Sequence, residues 1–334
     1  MGRAVVVEAP GKLSVVRTEP EDPGHGEVVV RVEWAGICGS DREVLAGTRA
    51  EGYVRYPVVP GHEWSGTVVE LGPGTDPELL GKPVVGEGFR NCGRCAPCRR
   101  GDTTLCTAEY DETGFTQPGA WADELRIPAR LLHVLPDGAD LRAAALLEPA
   151  ACMAAATLLA AVVPGERVAV IGGGTLGLLA TQLLAASGPA ELVVVDPRAS
   201  RAVPASRFCG ATGFYSPGAA PGGFDVVVEA AGAPGTGAQA VRMCRRGGRV
   251  VLTGLAGHET EPIAPADLVT AAVTVHTVFG APSRAWTHAV RAFATGLLDP
   301  GPLITHEFPL EEAERALRLL EDPAVDTGKV LLHP

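Results

Sequence analysis

The 334-residue chain is poor in aromatic residues and in positive charge, and it has no apolar run long enough to cross a bilayer. Phe, Trp and Tyr together make up 5% of it, and 28 Lys and Arg face 39 Asp and Glu, for a formal net charge of −11. So acidic a chain, with few aromatics to stack on bases, argues against nucleic acid and anionic membrane as partners, because both favour a basic face. The longest apolar run, Ala150 to Val163, is too short for a transmembrane span and reads as a buried helix. The opening run Met1 to Val7 turns polar at Glu8, too soon for a secretory core, so a soluble cytoplasmic protein is expected. A reducing cytosol does not keep structural disulfides, so eight cysteines with four of them bunched point to metal.

What is present favours two globular domains, since the length exceeds what one core usually serves and 46% of the residues are apolar. Short β-type runs (Ala4–Val7, Leu13–Val16, Glu27–Trp34, Thr67–Leu71 and Lys82–Val85), separated by glycine-bearing turns, predict an all-β, barrel-like first domain. One short helix is expected from Asp41 to Gly47, just after Cys38, which sets that thiol near a helix N-terminus where anions are favoured.

Pro60-Gly61-His62-Glu63 sets an imidazole beside a carboxylate on a tight turn. Together with the Cys38 thiolate, this makes a Cys/His/carboxylate set of the kind that holds catalytic zinc with one position open. Cys92, Cys95, Cys98 and Cys106 have a different spacing, Cys-x2-Cys-x2-Cys-x7-Cys, in a loop with Gly93, Pro97 and Gly101. Two-residue spacings let thiolates converge on a tetrahedral ion, and four sulfurs leave no position for substrate, so a structural zinc lobe is expected over about residues 90–107. A nucleic-acid-binding zinc ribbon is the sharper rival, through Arg90, Arg94, Arg99 and Arg100, and the acidic balance of the chain disfavours it. Glu148, next to Pro149 at the start of a helix that runs to about Val163, either complements the helix dipole or serves the metal site.

From Glu166 onward the pattern alternates strands with helices. The strand Arg167–Ile171 runs into Gly172-Gly173-Gly174-Thr175-Leu176-Gly177, a helix follows, and the next strand ends on Asp196. Strand, Gly-x-Gly-x-x-Gly, helix and a distant acid together make a dinucleotide-binding unit. Gly172, Gly174, Thr175, Leu176 and Gly177 would bring backbone N–H groups to a pyrophosphate, and Asp196 would accept the adenosine ribose hydroxyls. That predicts NAD as cofactor; NADP is the alternative, because Arg198 and Arg201 follow closely enough to meet a 2′-phosphate. The proline-broken segment between Asp196 and Asp225 is expected to hold less than a full βαβ crossover.

With these residues in view the chain resembles the zinc-dependent medium-chain alcohol dehydrogenases, and within them the sorbitol, threonine and cyclitol dehydrogenase branch. The resemblance rests on Cys38-Gly39-Ser40-Asp41, Gly61-His62-Glu63, the four cysteines, Glu148-Pro149, Gly172 to Gly177 and the tail Ile304–Phe308 with Gly328-Lys329-Val330. The run Tyr56 to Gly66 is most similar to 2-deoxy-scyllo-inosamine dehydrogenases of aminoglycoside biosynthesis. The resemblance implies an α/β fold: a GroES-like β-barrel catalytic domain plus a Rossmann doubly wound parallel sheet. It assigns residues 1–148 to the first, 149–285 to the second, and 286–334 to a C-terminal segment that returns to the catalytic domain. It further implies Cys38, His62 and Glu63 as catalytic zinc ligands, Glu148 as a nearby or exchanging ligand, and Ser40 as the hydrogen-bond partner of the substrate oxygen. Many relatives carry a His two residues after the Asp of Cys-Gly-Ser-Asp as part of a proton relay; here that residue is Glu43, which with ordered water is the candidate replacement.

The implied activity is hydride transfer between NAD(P) and a secondary alcohol of a polyol, cyclitol or aminocyclitol, by a homodimer or homotetramer. An aldehyde, primary-alcohol or threonine-type dehydrogenase on the same scaffold is the near alternative, and a non-enzymatic dinucleotide sensor the distant one. The remaining histidines, His25, His133, His258, His276, His288 and His333, are expected at the surface or hydrogen-bonded in the core.

Overall fold

The computed structural model describes residues 2–19, 21–255, 262–322 and 325–334. His258 lies outside the described residues. The chain divides into two compact units, residues 1–148 with 304–334, and residues 149–303.

The first unit is built on a seven-stranded, mostly antiparallel sheet. Its order runs Ile304–Pro309, Lys329–His333, Glu27–Gly36, Trp64–Leu71, Pro83–Gly86, Leu132–Val134, with Glu124–Pro128 also paired to Glu27–Gly36. A hairpin, Gly2–Ala9 with Lys12–Thr18, stands beside it. Valine alternation in Glu27–Gly36 sends Val28, Val30 and Val32 into a core with Trp64, Trp121, Leu125 and Ile127. Each such aliphatic side chain contributes roughly 1.5–3 kcal/mol by leaving water. Because the C-terminal strand Lys329–His333 pairs with Glu27–Gly36 at Leu331↔Gly36 and Leu332↔Ala35, the end of the chain lies alongside the motif-bearing segments.

The second unit carries a six-stranded parallel sheet in the order Gly213–Tyr215, Glu191–Val195, Arg167–Ile171, Phe224–Glu229, Cys244–Leu252, Thr274–Thr277. Numbered along the chain from Arg167–Ile171, this is 3-2-1-4-5-6, the doubly wound order whose direction reverses beside the first strand. Three expectations are corrected. The segment after Asp196 does complete a crossover, through the turn Ala199–Arg201, the helix Ala202–Arg207 and the strand Gly213–Tyr215. Pro204 is tolerated because it lies in the first turn of that helix, where its missing N–H has no partner to lose. The unit also runs to Leu303 rather than ending near 285, because the helix Ser283–Ala294 buries Ala285, Trp286, Ala289 and Ala292 along one side. The apolar helix Leu147–Ala160 stops short of Val163, since Ala161 leaves helical geometry at φ 44°. Among the described residues, no helix is long and apolar enough to cross a membrane.

Candidate active site

Cys38 caps the helix Gly39–Ala46, and its backbone N–H donates to Asp41 Oδ2 at 2.8 Å, so the acid of the Cys-Gly-Ser-Asp motif fixes the turn that presents the thiol. The other oxygen of Asp41 faces His62 Nδ1 at 3.5 Å. His62 and Glu63 follow Gly61, whose φ of +96° and position against Trp121 both require glycine: a Cβ there would stand 2.3 Å from Trp121 Cδ1. Gly36 is equally constrained, for a Cβ would stand 2.1 Å from Glu63 Oε2. Two glycines without chemistry of their own therefore hold the turn where it is.

Donor atoms of Cys38, His62 and Glu63 lie within 4.8 Å of one another. His62 and Glu63 are buried, and Asp41 Oδ1, His62 Nδ1 and Glu63 Oε2 are all buried without a hydrogen bond. Buried polar atoms left in this way are costly unless a cation or another partner joins them. The donor set, one thiolate, one imidazole and one carboxylate, suits zinc.

Sequence reasoning missed Lys329 here, although its motif was noted. Lys329 is 6% exposed and its ammonium forms an ion pair with Glu63 Oε2 without hydrogen-bond geometry. Burial works against its charge, but Glu63 and Cys38 outweigh this and hold its pKa above the ordinary lysine value. Burial pushes the Glu148 carboxyl up to about 7; His62 opposes the rise, and Glu63 and Glu112 reinforce it. Glu148 thus shares the electrostatics of the site while standing outside the tight donor set. Ser40 is half-buried at the second position of the helix Gly39–Ala46. Glu43 is on the same helix with half of its side chain exposed and its carboxylate 3.5 Å from Arg49 Nη1, so the charge expected to carry a proton is tied up in an ion pair.

The four-cysteine lobe closes on itself. Sγ atoms of Cys92, Cys95, Cys98 and Cys106 lie within 4.8 Å of one another, and the Cys95–Cys98 separation of 3.3 Å is far too long for a disulfide. Backbone amides point at the sulfurs, among them Cys92 N to Cys106 Sγ and Cys95 N to Cys92 Sγ, each at 3.4 Å. The amides of Cys98 and Thr107 bring the Cys95 thiol down to about 6, whereas burial pushes Cys98 up to about 12. Amide donors of this kind stabilise thiolate ligands.

In the second unit, Gly172 at φ +105° ends the strand and Gly174 caps the helix Thr175–Ala185, which begins Thr175-Leu176-Gly177. A Cβ on Gly177 would stand 1.7 Å from Gly172 O, so the helix packs this closely on the strand only through glycine. Asp196, 3% exposed at the end of the neighbouring strand, accepts the Gly173 N–H at 2.7 Å. Arg198 donates to the same carboxylate from its backbone N, Nε and Nη2, at 2.8, 2.9 and 2.9 Å. Burial would raise the Asp196 pKa, but these donors outweigh it and leave it below the ordinary value. Arg201 is buried, with its Cβ 2.9 Å from where a Gly173 side chain would begin. A further missed residue is Glu229: its carboxylate accepts the N–H groups of Ala231 and Gly232 at 2.8 Å and of Gly254 at 3.3 Å, joining the two glycine loops at the carboxyl ends of adjacent strands. No spacing signal marks it, because its partners come from two different loops.

Residues 24–137 match the alcohol dehydrogenase GroES-like domain, and residues 175–295 match the zinc-binding dehydrogenase domain. The chain is 30% identical to an L-threonine 3-dehydrogenase of Bacillus licheniformis, over 97% of this chain and 99% of the relative. It is 26% identical to a sorbitol dehydrogenase of Bacillus subtilis, over 99% and 97%. Its backbone superposes on the crystal structure of a zinc-binding dehydrogenase from Sinorhizobium meliloti bound to NADP with a TM-score of 0.92, at 31% identity, over 100% of this chain and 99% of that one. With a barrel that gathers thiolate, imidazole and carboxylate, a four-sulfur lobe and a doubly wound dinucleotide fold, the chain belongs to the zinc-dependent medium-chain alcohol dehydrogenases and is an NAD(P)-dependent alcohol dehydrogenase.

Proposed function

We propose that this enzyme oxidises a secondary hydroxyl of a polyol, cyclitol or aminocyclitol, with 2-deoxy-scyllo-inosamine as one such substrate, to the ketone. The alcohol loses one proton and one hydride, and NAD(P)+ becomes NAD(P)H. The observation that carries the reading is the concentration of carboxylates around the donor set, with Glu63 and Glu112 buried and Glu148 beside them. An acidic lining of this kind favours a substrate that carries several hydroxyls, or a cationic amine, over a bulky apolar alcohol. The sorbitol dehydrogenase relative supports the same substrate class.

Cys38, His62 and Glu63 would hold the catalytic zinc, with Glu148 close by, and Cys92, Cys95, Cys98 and Cys106 the structural one. Zinc supplies Lewis acidity that eases loss of the alcohol proton, and NAD(P) supplies the hydride acceptor. Ser40 orients the substrate oxygen and accepts that proton while giving up its own hydroxyl proton. Ordered water or Glu43, which is ion-paired with Arg49, takes that hydroxyl proton and passes it outward. Gly172, Gly174, Thr175, Leu176 and Gly177 cradle the pyrophosphate, while Asp196 holds the ribose and favours NAD. Arg198 or Arg201 is the group through which NADP would be accepted.

The L-threonine 3-dehydrogenase relative favours a second reading, in which the oxidised hydroxyl belongs to an amino acid. We also propose a homodimer or homotetramer, since Thr274–Thr277 ends the parallel sheet with an open edge among the described residues. NADH formation from sorbitol, inositols and aminocyclitols, measured beside ethanol, benzyl alcohol and threonine, tests the substrate class. Faster turnover of the simple alcohols or of threonine overturns the polyol reading and leaves the family unchanged.

A further inference from the structure

Arg49 is a largely buried cation, its side chain 13% exposed, and every edge of its guanidinium is engaged. Nε donates to Tyr53 O at 2.9 Å and Nη2 to the Tyr110 hydroxyl at 3.0 Å. Nη1 lies 3.5 Å from Glu43 Oε2, and Nη2 lies 3.7 Å from Glu112 Oε2, which also accepts the Tyr110 hydroxyl. Partners on four sides leave the planar group little rotational freedom, which is the advantage of a guanidinium over an ammonium. The face of the group is engaged too: its central carbon stands 3.8 Å from the centroid of the Phe115 ring. Phe115 is 1% exposed, and its ring centroid is 4.8 Å from that of His62 at an interplanar angle of 35°.

A cation, a phenyl ring and an imidazole thus lie in consecutive contact, from a surface ion pair to the metal-binding turn. Stacked arrangements at these separations are attractive by more than contact area alone. The other known orienting group for His62, Asp41, lies 3.5 Å from Nδ1, longer than a good hydrogen bond, so the ring plane needs a second constraint.

We infer that Arg49 is a positioning residue for the active-site metal: acting through Phe115, it fixes the plane of the His62 imidazole so that the ring nitrogen, Cys38 and Glu63 meet one ion. This rests on the reading of Cys38, His62 and Glu63 as a zinc site. It differs from a general packing role in what it predicts: the effect falls on one of two metal centres in the same chain. Loss of a group that orients a ligand typically weakens metal binding by about 10–100-fold.

The experiment compares zinc-loaded wild type with Arg49→Ala, Arg49→Lys and Phe115→Leu, following zinc release to a chromogenic chelator and the visible spectrum of the enzyme substituted with cobalt at the Cys38, His62 and Glu63 site. Wild type should release zinc in two phases. Arg49→Ala and Phe115→Leu should speed the faster phase about tenfold or more and alter the cobalt bands, with the slow four-cysteine phase unmoved. Arg49→Lys, which keeps the charge without the planar fork, should fall between them and wild type. If Arg49→Ala does not fold, Phe115→Leu decides by the same readings. Variants that keep the wild-type release rate and cobalt spectrum overturn the inference alone, whereas a wild type that binds zinc only at the four cysteines overturns the zinc-site reading beneath it.

Discussion

Asp196 and Arg198 are locked carboxylate to guanidinium, with Nε and Nη2 of the arginine on opposite oxygens at 2.9 Å. The residue suited to ribose hydroxyls is therefore already occupied by the residue suited to a 2′-phosphate. Removing Arg198 should free the carboxylate for the ribose: Arg198→Ala is expected to raise kcat/KM with NAD relative to NADP by about tenfold, roughly 1.4 kcal/mol. Asp196→Ala should shift the ratio the other way. Steady-state kinetics with both cofactors check this, and a wild type that already prefers NADP makes Arg198 the phosphate-binding group.

Two zinc ions per chain are expected by elemental analysis. Cys38→Ala should abolish turnover and lose one ion with little change in folding stability. Cys95→Ala should destabilise the whole first unit or prevent its assembly, because a structural zinc contributes folding free energy. One zinc in a fully active wild type would refute the assignment of two centres.

Lys329→Met should destabilise the metal-free protein by about 3 kcal/mol, since it leaves Glu63 buried and uncompensated. With zinc bound the loss should be smaller, because the ion partly takes over the charge. Thermal unfolding of both forms, with and without chelator, reads the difference; equal losses in the two states would contradict it.

Asp225 supplies a pH signature away from the site. The Arg167 backbone N–H, at 2.8 Å, and then the Arg245 side chain hold its carboxyl below the usual aspartate value. A lowered folded pKa stabilises the native state above the unfolded value of about 4, and this contribution fades as pH falls through the folded value. Asp225→Asn is therefore expected to lower stability by about 1 kcal/mol at pH 7, a figure kept small because Arg245 is exposed. The gap from wild type should close as pH drops below about 4. Urea unfolding at several pH values measures it, and a constant gap would rule out this carboxylate as the source.

What was legible in the sequence was local. Cys92 to Cys106 and Gly172 to Gly177 announce themselves because all their parts fall within a few residues and spacing alone fixes the geometry. Cys38 and His62-Glu63 could be paired only by the chemistry of their donor types. Lys329, Arg49, Phe115 and Glu112 reach the same site from segments that no period or spacing links to it, since sheet register and a buried ion pair bring them in. Backbone detail went astray where tertiary packing overrode a local signal: Pro204 read as a breaker although it sits in a helix's first turn, and the helix around Trp286 belongs to the second unit with its apolar side buried.

The ion pair between Lys329 and Glu63 also orders events in time. Synthesis proceeds from the N-terminus, so Cys38, His62 and Glu63 emerge long before the strand Lys329–His333 that pairs with Glu27–Gly36 and carries the neutralising lysine. Until that strand docks, the acid in the turn lacks its counter-charge and the barrel sheet lacks a strand beside Gly36. The turn that carries His62 and Glu63 thus depends for its charge balance on a strand remote in sequence, while the four cysteines converge within one short loop.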